Sequence, residues 1–313
     1  MQWARNLILV GLAIVSYLMI LAWQQDYGNT SPSSAAESAV NHPVEAVKAT
    51  DLPSVSPVSN ADVPVVATKA DLPVSVATQP SSSLIHIKTD VLDLQIDPTG
   101  GDVVSLALKK KKKTVNSKES FNLLENNRQR VFIAQSGLIG ANGADASPDG
   151  RPVYTTPKVN YALADNQNTL EVPLYFTDKN GVEIQKIFTF TKGKYDIAVR
   201  YNIINHSQSA WQGLMFAQLK RDGSEDPSAS NQGMGMATFL GGAWGAGEKT
   251  YNKVEFTDFS EEAVKETSKG GWTAIVQHYF VAAWIPDANS TNHLNSRANK
   301  EKGEYFIGFT SPD

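Results

Sequence analysis

The run from Leu7 to Trp23 constrains everything after it. It carries no charged side chain, and Ser16 is its one aliphatic hydroxyl. Wound as a helix at 1.5 Å per residue, its roughly 17 residues reach about 26 Å, close to a bilayer hydrocarbon core of ~30 Å. Leu, Ile and Val dominate it, each contributing an insertion preference of ~0.3 to 0.6 kcal/mol near the bilayer centre. Arg5 and the amino terminus precede the run, and Gln24, Gln25 and Asp26 follow it. The positive-inside rule therefore leaves the N-terminus in the cytoplasm and exports the remainder. Trp3 and Trp23 lie at its ends, where indoles favour the headgroup layer. A cleaved signal peptide also begins with a basic residue and an apolar core, but that core is usually about 7 to 15 residues and ends in a small-x-small site. Here the run closes in AWQQDY, so residues 1–27 are expected to form an uncleaved anchor, flanked by Arg5 and running from Leu7 to Trp23.

With no cysteine in the chain, lipid attachment through a thiol, disulfides and thiolate metal sites are all excluded. An exported domain must then rely on an apolar core, which a 41% hydrophobic content can supply. A net charge of −4 and a pI near 5.8 point away from nucleic acid as a partner. Residues 28–83 change character abruptly. Pro32, Pro43, Pro53, Pro57, Pro64, Pro73 and Pro80 are spread among Ser, Ala, Val and Thr, with no aromatic residue. Such a segment cannot bury enough apolar area to offset its ordering entropy, so a disordered tether is expected. A weak echo at Asp51-Leu-Pro, Asp62-Val-Pro and Asp71-Leu-Pro reads as low-complexity drift, with a repeated binding motif as the alternative.

From residue 84 the pattern turns to period two. Residues 84–88 and 91–96 alternate apolar and polar side chains, as strands with one wet face do. Asp97-Pro98-Thr99-Gly100-Gly101 is a turn signal, and residues 103–108 read as the returning strand. Further strands are expected at 130–135, 159–164, 169–176, 182–191, 195–205 and 214–220, with Asp178-Lys179-Asn180-Gly181 as a hairpin turn. Many antiparallel strands joined by Gly, Asn, Asp and Pro turns favour a β-sandwich. One short helix is expected at 258–267, with Asp258 or Ser260 as its cap. In residues 268–286 the large side chains Trp272, Ile275, Val276, Tyr279, Phe280 and Trp284 also fit helical spacing, but Gly270-Gly271 before and Pro286 after favour a buried, bulged strand.

Chemistry-bearing patterns are few. His42, His86, His206, His278 and His293 show no metal-ligand spacing. His278 is the best placed for catalysis, although a hydrogen-bonded core position is the simpler reading. Carboxylates for sugar chemistry could come from Glu183, Asp196, Asp222, Glu225 or Asp226, without any indication of which pair faces each other. Gly100-Gly101, Gly241-Gly242 and Gly270-Gly271 look like turns. The run from Lys109 to Lys113 is either a solvated loop at a strand end or a docking point for anionic headgroups at ~1 kcal/mol per lysine. Met234, Met236, Phe239, Leu240 and Trp244, set among glycines, either close the core or form an adaptable apolar surface for a partner.

Three stretches in order resemble the YidC membrane protein insertase family of Gram-negative bacteria. RNLILVGLAIVSYLMILAWQQD is similar to its first transmembrane segment. KTDVLDLQIDPTGGDV, from Lys88 to Val103, is similar to the first hairpin of its periplasmic domain, and GGWTAIVQHYFVAAWIP to a late element of that domain. AQSGLIGANG and GKYDIAVRYNI add support. The resemblance implies a mainly β chain: a transmembrane α-helix, a disordered linker, and at 84–313 an antiparallel β-supersandwich like that of galactose mutarotases and sugar-binding proteins. It implies an inner-membrane protein with a cytoplasmic N-terminus, periplasmic after about residue 26. That protein would insert and fold nascent inner-membrane proteins, alone or with the Sec translocon and its SecDF accessory.

The resemblance implies no enzyme, no catalytic residue, no metal and no cofactor, and fold similarity to sugar enzymes does not by itself confer catalysis. Five further membrane helices would lie beyond Asp313. After FIGFTSPD the family pattern calls for another strand and a connecting helix, so the β domain is expected to be truncated. The Sec accessory contact would fall within 237–284, which makes Phe239, Trp244, Tyr251, Phe256 and Phe259 the expected partner surface. The five-lysine run has no counterpart in the family pattern. Two other classes stay open: a periplasmic carbohydrate-modifying or carbohydrate-binding β-sandwich, and a simple anchored envelope protein.

Overall fold

Strict alternation of buried and half-exposed side chains runs through the first hairpin. In β1 (Ile85–Lys88) and β2 (Leu92–Asp97), Ile85, Ile87, Leu92, Leu94 and Ile96 are all buried while the residues between them face outward, the period of a half-buried strand. The computed structural model describes Tyr17 and residues 83–114, 116–227 and 238–311. The expected anchor, with Arg5, Leu7 and Trp23, and the expected linker lie outside these residues. Among the described residues no helix is long and apolar enough to cross a membrane.

The strands continue as β3 (Asp102–Lys112), β4 (Ser120–Asn126), β5 (Val131–Ile139), β6 (Asn160–Ala162), β7 (Thr169–Thr177), β8 (Val182–Thr191), β9 (Ile197–Asn205) and β10 (Leu214–Asp222). They end with β11 (Gly241–Ala246), β12 (Lys249–Val254), β13 (Lys265–Lys269), β14 (Trp272–Val276), β15 (Val281–Trp284), β16 (Thr291–Asn299) and β17 (Glu304–Thr310). They make three sheets. A ten-stranded sheet has the order β13-β16-β17-β10-β5-β4-β3-β2-β1-β6, a four-stranded one β12-β11-β14-β15, and a three-stranded one β7-β8-β9. Pairing is antiparallel apart from β1 with β6. The long register of β5 with β10, Leu214 opposite Ile139 through Arg221 opposite Phe132, joins the N-terminal and C-terminal halves of the large sheet.

All three sheets contribute to one apolar cluster. It holds Leu94 and Ile307 of the large sheet, Val172 and Phe188 of the three-stranded sheet, and Ile275 and Trp244 of the four-stranded sheet. The two small sheets thus cover the large one as the second layer of a sandwich, and the expected β-sandwich is the architecture found. Most expected strands are present, and Asp178-Lys179-Asn180-Gly181 makes the turn between β7 and β8, with Asp178 Oδ1 accepting from the Asn180 and Val182 amides at 2.8 Å.

Three expectations are corrected. The helix expected at 258–267 is a single 3-10 turn, Phe256–Phe259, followed by β13. Residues 265–269 pair along β16 from Lys265 opposite Asn295 to Lys269 opposite Thr291, and Val264 N–H donates to Ser296 Oγ at 2.8 Å. A free sheet edge offers this segment more hydrogen bonds than an isolated short helix could. The single strand expected in 268–286 is a hairpin, β14 and β15, closed by Gln277 N–H donating to the Phe280 carbonyl at 2.8 Å. Gly241-Gly242 is the start of β11 instead of a turn. A Cβ on Gly242 would stand 2.7 Å from the Phe259 ring, so this glycine lets an aromatic side chain lie against the sheet.

Candidate functional site

The second layer of the sandwich is interrupted. Between the start of β9 on one side and β15 with its flanks on the other, an open groove of about 860 Å³ runs over the large sheet. Leu92, Leu106, Leu108, Leu124, Leu219 and Phe309 line it from that sheet, and Ile197, Val199, Phe280 and Trp284 from the two walls. The β15 wall is fixed by two internal contacts. Phe280 stacks on Phe121 of β4 with centroids 4.1 Å apart, and Trp284 Nε1 donates to the Gln218 carbonyl at 3.0 Å. The lining contains no histidine, and the hydroxyl of one of its two serines, Ser311, accepts the Met215 amide at 2.9 Å. Apolar area on this scale with few directional polar groups has the make-up of a binding site.

Beneath the β2–β3 turn lies a cluster of buried charges. Arg151 pairs with Asp102 through Nη1, with Asp145 through Nε at 2.7 Å, and donates to the Ser136 carbonyl at 3.1 Å. Asp145 also accepts the Leu138 amide at 2.8 Å. Lys186, on the facing β8, donates to the carbonyls of Gly100, Gly101 and Ser136 at 2.9, 2.8 and 3.0 Å. Burial raises the Asp145 carboxyl against the opposing pull of Arg151. Burial alone would lower Arg151, but Asp102 and Asp145 outweigh it and hold the guanidinium above its ordinary value. Burial pushes the Lys186 amine down to about 7, with Asp102 opposing. From Asp102 the polar chain continues through Gln135 at 2.8 Å, Gln218 at 3.0 Å and Arg297 at 3.1 Å. Arg151, Lys186 and the two carboxylates, all closed off from solvent, clamp the turn, β5 and β8 together and offer nothing to a substrate.

Of the carboxylates considered for sugar chemistry, Asp222 and Asp226 lie within electrostatic reach of the same two arginines, Arg130 and Arg221, and Glu225 is exposed. Asp222 Oδ2 accepts the Val131 amide at 2.7 Å and Asp226 Oδ2 the His278 amide at 2.8 Å. Glu183 lies 3.7 Å from His206 on the exposed surface, and Asp196 lines the groove. His278 sits half-buried in the β14–β15 turn, stacked on Tyr279 at 3.8 Å, and not in the core. Among the described residues no group of histidines and carboxylates has metal-binding geometry.

The five aromatic residues expected to meet a partner come together around the four-stranded sheet, at different depths. Tyr251 on β12 is 53% exposed and tilts over Trp272 at 6.0 Å. Phe239 and Phe256 are half-buried; the Lys253 ammonium lies 4.7 Å above the Phe239 ring, and Phe256 stacks on Tyr305 at 4.7 Å. Trp244 is buried beneath the Lys249 ammonium at 5.3 Å, and Phe259 is wholly enclosed. Phe259→Ala is therefore expected to cost about 3 to 5 kcal/mol of stability. Tyr251→Ala should stay within about 0.5 kcal/mol, and chemical denaturation of both variants checks the contrast. Of the five, Tyr251 is the position at which a loss of partner binding can be read without a loss of fold.

A sequence profile described as the YidC periplasmic domain matches residues 84–313. The chain is 45% identical to a protein named membrane protein insertase YidC from Azotobacter vinelandii, over 98% of the chain and 54% of that relative. It is 45% identical to the protein of that name from Pseudomonas syringae, over 98% and 54%. For Alcanivorax borkumensis the identity is 43%, over 100% and 55%. The chain spans about half the length of the curated relatives it matches.

Proposed function

The chain belongs to the YidC membrane protein insertase family, and from that membership we propose that it is the anchored periplasmic part of an insertase. That insertase inserts and folds inner-membrane proteins, alone or with the Sec translocon. Residues 1–27 hold it in the inner membrane with the N-terminus cytoplasmic, 28–83 tether it, and 84–313 stand in the periplasm. The observation that carries this reading is identity of 45% running through 98% of the chain, from the apolar leader into the last strands. The β domain contributes binding surface and no turnover; the apolar groove and the buried, structurally committed charges support that. Phe239, Tyr251 and Phe256 form the face toward the SecDF accessory, with Trp244 and Phe259 supporting it from beneath.

Depleting the gene product from its own cells tests the function. A pulse-labelled inner-membrane protein is expected to accumulate uninserted, and unchanged insertion would overturn the proposal. The partner face has a separate test. Tyr251→Ala is expected to reduce co-purification with the Sec accessory while thermal unfolding stays unchanged, and undiminished co-purification removes Tyr251 from that face.

A further inference from the structure

We propose that the rim of the groove is a docking surface for an anionic phospholipid bilayer, with Lys109 to Lys113 as the electrostatic contact and the outer edge of β15 as the apolar one. The inference rests on the reading that the domain is tethered beside the inner membrane. The lysines lie on an ordered strand and not in a loop. Lys109 through Lys112 are the last residues of β3, all exposed. Register jumps from Leu108 opposite Phe121 to Lys112 opposite Ser120, so β3 bulges away from β4 at Lys109 to Lys111. Lys109 stays tied on the β2 side, its amide donating to the Val91 carbonyl at 2.9 Å and its ammonium to the Thr89 carbonyl at 2.5 Å. Among the described residues only two acids pair with the run, Asp90 at 4.0 Å from Lys110 and Glu119 at 3.7 Å from Lys113. Lys109, Lys111 and Lys112 have no carboxylate partner there, and Lys111 lines the groove.

The apolar half adjoins them. Phe121, opposite Leu108, stacks on Phe280, and on either side of Phe280 are Tyr279 and Val281, 70% and 56% exposed. Ala283 and Ile285, the latter 74% exposed, continue the same face. Val281, Ala283 and Ile285, two residues apart, make a stripe of about 13 Å on one side of an extended segment, and Tyr279 joins it from the turn. Asp196 and Asp287 also line the groove; Asp287 lies seven residues beyond Phe280, about 23 Å along an extended chain, at the end away from the lysines. Exposed aliphatic and tyrosine side chains joined to a lysine cluster fit the interfacial layer of an anionic bilayer.

The absence of cysteine allows a single reporter. Ala283→Cys, labelled with an environment-sensitive fluorophore in the full chain, is reconstituted into nanodiscs of phosphatidylcholine alone or with added phosphatidylglycerol. A blue-shifted, brighter emission is expected with phosphatidylglycerol only. It should be lost at about 1 M salt, where screening acts within ~3 Å. Replacing Lys110, Lys111 and Lys112 together by serine should lower the docked-to-undocked ratio roughly a hundredfold, at about fivefold per lysine, with thermal unfolding unchanged. Equal emission in both lipids overturns the proposal. So does a blue shift that survives salt and the lysine replacements but is displaced by an apolar peptide, which would assign the groove to polypeptide. Because no client protein is present, a negative result here leaves the insertion experiment standing, and a failure of that experiment leaves this one readable.

Discussion

Replacing Arg151 by leucine is expected to lower the midpoint of thermal unfolding by about 6 to 20 °C. Arg151 is the shared partner of Asp102 and Asp145, and all three side chains are 3% exposed or less. Removing the cation leaves two carboxylates facing each other in a dry interior, with only Lys186 near to offset them. Breaking a buried pair in this way costs about 3 to 5 kcal/mol, and in a domain of this size each kcal/mol moves the midpoint by roughly 2 to 4 °C. Arg151→Lys keeps the charge but loses the fork that reaches both carboxylates, so it should fall between wild type and Arg151→Leu. The exposed pair Lys179–Asp149, 2.5 Å apart with side chains 85% and 67% exposed, supplies the control. Lys179→Ala should leave the midpoint essentially where it is, because an exposed pair is screened by solvent. Differential scanning of the full chain in detergent reads all three, and a shift below about 2 °C for Arg151→Leu would show that the cluster is not what joins the sheets.

Nothing local in the sequence marks that cluster. Asp102 and Arg151 are 49 positions apart and Lys186 lies 85 beyond Gly101, so only the folded sheets bring them together. The one available signal is the double glycine beside Asp102. Gly100 and Gly101 both adopt positive φ, 75° and 65°, which explains the turn that DPTGG announces. A Cβ on Gly100 would also overlap the Arg151 guanidinium, so the same glycine that makes the turn admits the buried cation. Strands with one wet face were legible because alternation is a local property: LDLQID reads as β2 with no knowledge of its neighbours. The errors fell where a distant partner decided the outcome. Residues 265–269 are strand because β16 is there to pair with them, and the large side chains of 268–286 are shared between two strands that fold back on each other. The groove is a gap between β9 and β15, and a gap has no residue pattern of its own.

Lys186 should give the domain a stability that rises with pH above neutrality. Its amine is fully enclosed and burial brings its pKa down to about 7, with Asp102 opposing, against an unfolded value near 10.4. Between about 7 and 10.4 the unfolded chain therefore holds a proton that the folded chain releases. The free energy of unfolding should climb with pH by up to about 1.4 kcal/mol per unit, and the contribution is lost again as pH falls toward 7. Tyr154 and Tyr201, both raised by burial, act in the other direction once pH passes about 10, so the slope is read between about 7.5 and 9.5. Lys186→Met, a flexible apolar side chain of similar length, should abolish it. It should also lie below wild type throughout, because the Gly101 carbonyl loses the Lys186 donor, at about 1 to 3 kcal/mol for a buried acceptor left unpaired, while the Gly100 and Ser136 carbonyls keep Arg151. The deficit of the variant should thus widen as pH rises. If wild type is flat across this window, the three carbonyls hold all three hydrogens of a permanent ammonium, and the clamp carries its full charge at every pH the cell meets.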